Sequence, residues 1–155
     1  MTQAVTAILT AIVIAAISSW ITVQLSLRKF RAEKWWEKKV DVYSKVIEAL
    51  HNSKMFAHYH LEAEYHGSHL LEGQDKELRE RAKAANDEIL KAIDVGAFIF
   101  SDEALARLQK YQKESEEAGN HQSWFEYLEA DLAATDSCLK DLIQIAKRDI
   151  RSCRQ

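Results

Sequence analysis

The sequence has no proline among its 155 residues, and it has only four glycines and two cysteines. A collagen-like chain needs glycine at every third position and a disulfide framework needs many cysteines, so both classes are excluded. Sandwiches and barrels of short strands need frequent glycine and proline turns, so an all-β fold is disfavoured. Hydrophobic residues still make up 47% of the chain and charged residues 29%, which excludes a disordered chain.

Charge is absent from one long stretch, Ala4–Leu27. As a helix this stretch measures about 36 Å, which exceeds the roughly 30 Å of a bilayer's hydrocarbon core. A signal peptide begins with basic residues, but no lysine or arginine precedes Ala4. We therefore expect residues 1–30 to form a retained transmembrane helix and residues 31–155 to form a separate helical domain.

Six basic residues lie between Arg28 and Lys39, and none lies before the span. The positive-inside rule then places residues 31–155 in the cytoplasm. Cys138 and Cys153 are expected to be free thiols there, because the cytosol keeps thiols reduced.

Small residues recur along the expected span at spacings of four, four, four and three: Ala7, Ala11, Ala15, Ser19 and Thr22. Such a stripe lets helices approach closely in lipid, so the span could self-associate. Alternatively, the stripe reflects only the ordinary composition of membrane helices.

Residues 31–155 carry 19 basic and 24 acidic residues, a net charge of −5. A general nucleic-acid binder has a basic balance, so we expect no DNA partner.

The apolar residues of this domain recur with a helical period. We expect the first helix to continue unbroken from the span to Tyr65, with Gly67 and Gly73 bounding a short connection. The second helix should end near Gly96. Four helices with short connections predict an all-α antiparallel bundle.

Local signals mark the later helices. Ser101, followed by two acidic residues, predicts a helix start, and Ser123 with Glu126 forms a capping box. Between these helices, Glu114–Asn120 is expected to be a polar break. Ala97–Phe100 is the one candidate strand, and it is short enough to be a buried connection instead.

Sequence motifs of catalysis are missing: there is no phosphate-binding glycine loop, no nucleophile elbow and no HExxH. Cys138 falls in the middle of a helical pattern, which argues against a catalytic thiol. We expect a protein that is not an enzyme and that needs no cofactor and no metal.

Five of the six histidines lie between His51 and His69. Glu62, His66 and His69 would share one helical face if the first helix reached that far, and could then hold zinc. The favoured interpretation is a solvated or interface face, because Gly67 interrupts this spacing.

Asn120, His121 and Trp124 lie where the last helix is expected to begin. A helix N-terminus attracts phosphate, and aromatic rings stack on bases. The simpler alternative is a capped helix whose Trp124 and Phe125 enter the core. The candidate ligand-binding residues are Asn120, His121, Trp124, His66, Ser68, His69 and Arg79.

Three stretches carry a resemblance: Trp35–Tyr43, Phe98–Ala104 and Leu142–Asp149. Together with the single N-terminal span, they resemble a group of small bacterial membrane-anchored helical proteins. Within that architecture, the chain is similar to the single-span membrane effectors of type III CRISPR antiviral defence.

That resemblance implies a homotetramer in the bacterial inner membrane. It also implies a cytosolic domain that binds a cyclic oligoadenylate second messenger, with cyclic tetra-adenylate favoured, and a loss of membrane integrity as the output. It supplies no binding residues. Two alternatives remain: a membrane-tethered scaffold or accessory subunit that uses residues 55–69 to bind a protein partner, and a hole-forming toxin that needs no ligand.

Overall fold

The computed structural model describes residues 2–152, with side chains for residues 14–96 and 98–152, and contains no strand within that range. Its α-helices are α1 (Thr2–Tyr65), α2 (Glu72–Val95), α3 (Asp102–Ala118) and α4 (Trp124–Ser152). A short 3-10 turn, Gly96–Phe98, lies between α2 and α3. The all-α prediction is confirmed.

The chain forms two compact units, Met1–Glu37 and Lys38–Gln155, and the division falls inside α1. We call the second of these the helical unit. In the first, the side chains of residues 14–30 are all exposed.

Within the described part of the chain, none of the helices combines the length and the apolar character needed to cross a membrane. Residues 4–13 of the expected span lie outside the residues whose side chains are described. The same is true of Ala7 and Ala11 in the small-residue stripe.

Side-chain pairs fix the direction of α4 against α1. Lys54 Nζ donates to Asp136 Oδ1 at 2.6 Å, and Tyr65 donates its hydroxyl hydrogen to Glu129 Oε1 at 3.1 Å. The partner's number falls along α4 as the number rises along α1. The two helices are therefore antiparallel.

The same argument applies to α3 and α4. Arg107 Nε donates to Asp141 Oδ2 at 2.8 Å, and one helical stretch later Ser115 Oγ donates to Asp131 Oδ1 at 3.2 Å. These helices are also antiparallel, so the expected bundle of helices is confirmed.

Two groups of buried apolar side chains hold the helical unit together. The larger group draws on all four helices and includes Tyr43, Leu50, Ile89, Leu108 and Leu142. The smaller group consists of Phe56, Ala57, Leu61 and Leu128. Burying a leucine or phenylalanine side chain contributes about 1.5–3 kcal/mol, so both groups contribute substantially to folding.

Two boundaries differ from the sequence-based expectation. The predicted break at Glu114–Asn120 is wrong over most of its length, because α3 continues to Ala118. Ser115, within this polar stretch, donates to Asp131 Oδ1 of α4 at 3.2 Å, which ties the stretch to the bundle. Gly73 bounds no connection, because α2 already begins at Glu72.

Two other local signals are confirmed. Ser101 precedes α3, and its Oγ accepts a hydrogen bond from the Ala104 N–H at 3.3 Å. Gly96 follows the last residue of α2. The doubtful segment Ala97–Phe100 is a connection rather than a strand, and it buries Ile99 and Phe100.

The helical unit has two ends. The entry end contains Lys38, the first residue of α1 that belongs to the unit, together with the end of α2 and the start of α3. The far end is where α1 ends at Tyr65, and where α4 begins at Trp124. At 1.5 Å per residue the ends lie about 40 Å apart along α1.

Candidate functional site

A cluster of aromatic side chains lies at the far end, where α1 meets the start of α4. The ring of Trp124 stacks on Tyr127, with centroids 5.1 Å apart and an interplanar angle of 24°. Its edge meets Phe56 at 6.3 Å and His60 at 5.8 Å. Trp124 is nevertheless 41% exposed, so it presents a ring to solvent while its other contacts hold it in place.

His60 is the buried member of this cluster, with 7% of its surface exposed. Its Nε2 lies 3.2 Å from Asp75 Oδ1 in α2, but without the alignment of a hydrogen bond. Burial lowers the pKa of His60 more than the charge of Asp75 raises it, and the charge of Arg79 lowers it further. The imidazole is therefore neutral at pH 7.

Arg79 belongs to the same cluster. Its Nε donates to both oxygens of Asp75, at 3.0 and 2.9 Å, and its guanidinium group lies 5.9 Å from the centroid of Phe56. The hydrogen bond from Arg79 is the main cause of a lowered pKa at Asp75. The structure thus brings together two candidates from the sequence, Arg79 and Trp124, with Phe56 between them.

His66 and Ser68 lie instead in the turn that ends α1. The Ser68 N–H donates to the Ala63 carbonyl at 2.9 Å and the Gly67 N–H donates to the Glu64 carbonyl at 3.1 Å. With Gly67 at a φ of 55°, this is a Schellman helix end. His66 and Ser68 are exposed, and their positions follow from how the helix stops.

His69 comes after this turn and is also exposed. Because α1 ends at Tyr65, the helical face shared by Glu62, His66 and His69 does not exist. Among the described residues, no group of three or more His, Cys, Asp or Glu side chains is arranged to hold a metal ion.

Asn120 and His121 lie in the exposed turn before α4. Their N–H groups donate to the carbonyls of Glu117 and Ala118 at 3.0 and 3.1 Å. His121 Nδ1 lies 3.8 Å from Glu126 Oε2. The carboxylate of Glu126 occupies the first turn of α4, so it already compensates the positive end of the helix dipole.

Charge is distributed unevenly over the helical unit. The far-end residues 58–81 and 116–129 contain ten Asp and Glu against three Lys and Arg, a net charge of −7. Residues 38–57, 82–115 and 130–152 contain twelve acidic and thirteen basic residues, a net charge of +1. All seven candidate ligand-binding residues lie within the acidic far end.

Cys138 is fully buried, and burial raises the pKa of its thiol to about 12. Because the thiolate is the reactive form, this side chain is unreactive at neutral pH.

Sequence reasoning missed Phe56, His60 and Asp75 as parts of this cluster. The spacing of four between Phe56 and His60 places both on one face of a helix, so that pair was visible in principle. The approach of Asp75 to His60 joins two helices and leaves no local signal.

Comparisons of the chain with protein-family models, with curated proteins and with solved structures found no match.

Proposed function

We propose that this protein is a membrane-tethered adaptor whose helical unit binds a basic protein partner at its far end. The observation that carries the proposal is the net charge of −7 over residues 58–81 and 116–129. A surface of one sign attracts a partner of the other and speeds their encounter.

Exposed apolar and aromatic side chains accompany this charge. Tyr65 and Leu71 are 63% and 71% exposed, and Tyr59 and Trp124, in the same far-end segments, are exposed as well. Tryptophan, tyrosine and arginine are enriched among the residues that dominate binding energy in protein interfaces. The far end therefore combines exposed aromatic side chains with a negative net charge.

The tether is supported by the N-terminal unit. Residues 14–27 carry no charged side chain, and all of them are exposed. An uncharged helix of this kind gains free energy when lipid covers it. The basic residues from Arg28 onwards would then lie on the cytoplasmic side.

One observation favours the second-messenger effector as a second candidate. Trp124 supplies an exposed ring and Arg79 supplies a cation, and both contact Phe56. However, the four phosphates of cyclic tetra-adenylate would have to enter an acidic end in which Arg79 and Arg81 are already paired with Asp75 and Glu77. The charge balance therefore favours the protein partner.

Site-specific photo-crosslinking in cells tests the adaptor proposal with the full chain. A photoreactive amino acid at Leu71, in the far end, should form one defined adduct with a basic protein. The same amino acid at exposed Lys147, in α4 near the entry end, is the control and should not form it. Equal adducts at both positions would overturn the proposal.

The partner so identified is then titrated against two matched triple variants of the full chain. Glu62→Gln, Glu64→Gln and Glu72→Gln remove charge from the far end, and should weaken binding about tenfold at low salt. Glu48→Gln, Asp87→Asn and Asp94→Asn remove the same charge elsewhere and should change it less than about twofold. Equal losses would contradict the proposal, and binding of cyclic tetra-adenylate to the full chain would favour the effector instead.

A further inference from the structure

The entry end exposes two large apolar side chains on a turn. Val95 ends α2 and is 57% exposed, and Phe98 closes the 3-10 turn and is 63% exposed. The next two residues, Ile99 and Phe100, fill the core. Burial of Ile99 and Phe100 thus fixes the turn to the core, while the side chains of Val95 and Phe98 remain exposed.

A groove of about 190 Å³ lies beside this turn, between α1 and α2. Its apolar wall includes Val42 and Val95, and its rim carries Lys38, Lys45 and Lys91. An apolar patch with lysines around it matches the boundary between acyl chains and headgroups in a bilayer.

Two carboxylates also line the groove. Lys45 pairs with Asp41 at 2.9 Å and Lys91 pairs with Glu88 at 3.7 Å. Both pairs are exposed to solvent and join neighbouring turns of one helix, and ion pairs of this kind contribute little to stability. The lysines are therefore able to turn towards external anions, and the groove keeps a surplus of one positive charge.

The position of the groove indicates which anion it meets. Lys38 is the first residue of the helical unit, and the chain before it contains Arg28, Lys29, Arg31 and Lys34. The entry end is thus joined directly to a basic segment that follows the uncharged stretch. The far end, with its charge of −7, would be repelled by an anionic surface.

We propose that the entry end of the helical unit binds the surface of an anionic phospholipid bilayer. Val95 and Phe98 enter the interfacial layer, while Lys38, Lys45 and Lys91 contact lipid phosphates. The inference rests on the tether of the proposed function but not on the protein partner, so either can fail without the other.

Lipid-quenching fluorescence on the full chain in nanodiscs tests this contact. A fluorescent label is attached at Phe98→Cys or, as the far-end control, at Leu71→Cys, in a chain that also carries Cys153→Ser. Cys138 stays in place because it is buried and unreactive. The lipids carry a headgroup-level quencher and contain either phosphatidylcholine alone or roughly 30% phosphatidylglycerol.

We expect the label at position 98 to be quenched at least threefold more than the label at position 71, and more strongly with phosphatidylglycerol. Lys38→Gln, Lys45→Gln and Lys91→Gln together should remove the phosphatidylglycerol effect, because each lysine near an anionic surface contributes up to about fivefold to binding. Circular dichroism confirms that this variant keeps its helices.

Equal quenching at the two positions, or no response to phosphatidylglycerol, would overturn the proposal. The second part of the experiment adds inorganic phosphate, which is chemically like a lipid phosphate but is not attached to a bilayer. If millimolar phosphate abolishes the phosphatidylglycerol effect at constant ionic strength, the groove is a phosphate site rather than a lipid contact.

Discussion

The Tyr43 hydroxyl group donates a hydrogen bond to the carboxylate of Asp149, and so joins α1 near the entry end to the last turns of α4. The Tyr43 ring also meets Phe100 edge to face at 4.9 Å. Burial and this hydrogen bond raise the pKa of Tyr43, so the hydroxyl remains a donor over the whole physiological range.

Removing that hydroxyl should destabilise the helical unit. Tyr43→Phe keeps the ring but removes this donor, so that among the described residues Lys39, 4.0 Å away, is the side chain left to pair with Asp149. We expect a loss of about 1–2 kcal/mol in the free energy of unfolding, measured by urea denaturation. Tyr59→Phe, at an exposed position, is the control and should change stability by less than about 0.5 kcal/mol. If both substitutions change the free energy of unfolding by less than about 0.5 kcal/mol, the Tyr43–Asp149 hydrogen bond does not stabilise the unit.

His60 should make stability depend on pH. Its pKa is lowered in the folded state, so the unfolded state binds the proton more readily. The contribution of neutral His60 to the free energy of unfolding is therefore fully present above the ordinary histidine pKa of about 6.5. It is lost as the pH falls through the lower pKa of the folded state. Denaturation at pH 7.5 and pH 5 should show this loss.

His60→Gln should flatten the profile between those two pH values, because the titrating group is gone. His51→Gln is the matched control, since His51 lies on the same helix but is exposed. The charged groups around His60 are Asp75, Arg79 and Glu64. A His60→Gln profile as steep as that of the unsubstituted chain would refute the assignment.

Two glycines should respond oppositely to alanine. A Cβ at Gly96 would overlap the buried ring of Phe100, whereas a Cβ at Gly73 would meet nothing within 4 Å. Gly96→Ala should therefore cost about 1–3 kcal/mol. Gly73→Ala should stabilise α2 by about 0.4–1 kcal/mol. Thermal unfolding of both variants checks the pair, and a shift in the same direction would contradict the model of the turn.

Two leucines at the far end separate folding from binding. Leu128 is fully buried and Leu71 is largely exposed. Leu128→Ala should lower the free energy of unfolding by about 2–5 kcal/mol. Leu71→Ala should stay within about 0.5 kcal/mol. If Leu71→Ala unfolds the chain, Leu71 is part of the core and is not available to a partner.

Sequence reasoning found the helices because their signals are local. Ser101 needs only the N–H three residues later, and Gly67 needs only the turn before it. The polar stretch that begins at Glu114 was mistaken for a break because Ser115 within it bonds to Asp131 of α4, a contact between helices that a run of polar residues does not show.

The candidate site was predictable only in part. Trp124 and Arg79 were singled out for separate reasons, and nothing local in the sequence placed them beside Phe56. His69 was grouped with His66 on the assumption of a longer helix. Whether the candidate residues lie in a basic pocket or in an acidic surface depends on which segments of the chain lie next to each other. The sequence does not show this, because it follows from how the helices pack together.

The uneven charge of the helical unit also makes it a permanent electric dipole whose axis follows α1. In the field of a charged surface such an object experiences a torque, and it rotates before any atom of it makes contact. The negative pole turns away from an anionic surface, and the turning weakens as salt shortens the range of the field. The positions of the acidic residues along the chain therefore determine how the unit turns near a charged surface, before it binds there.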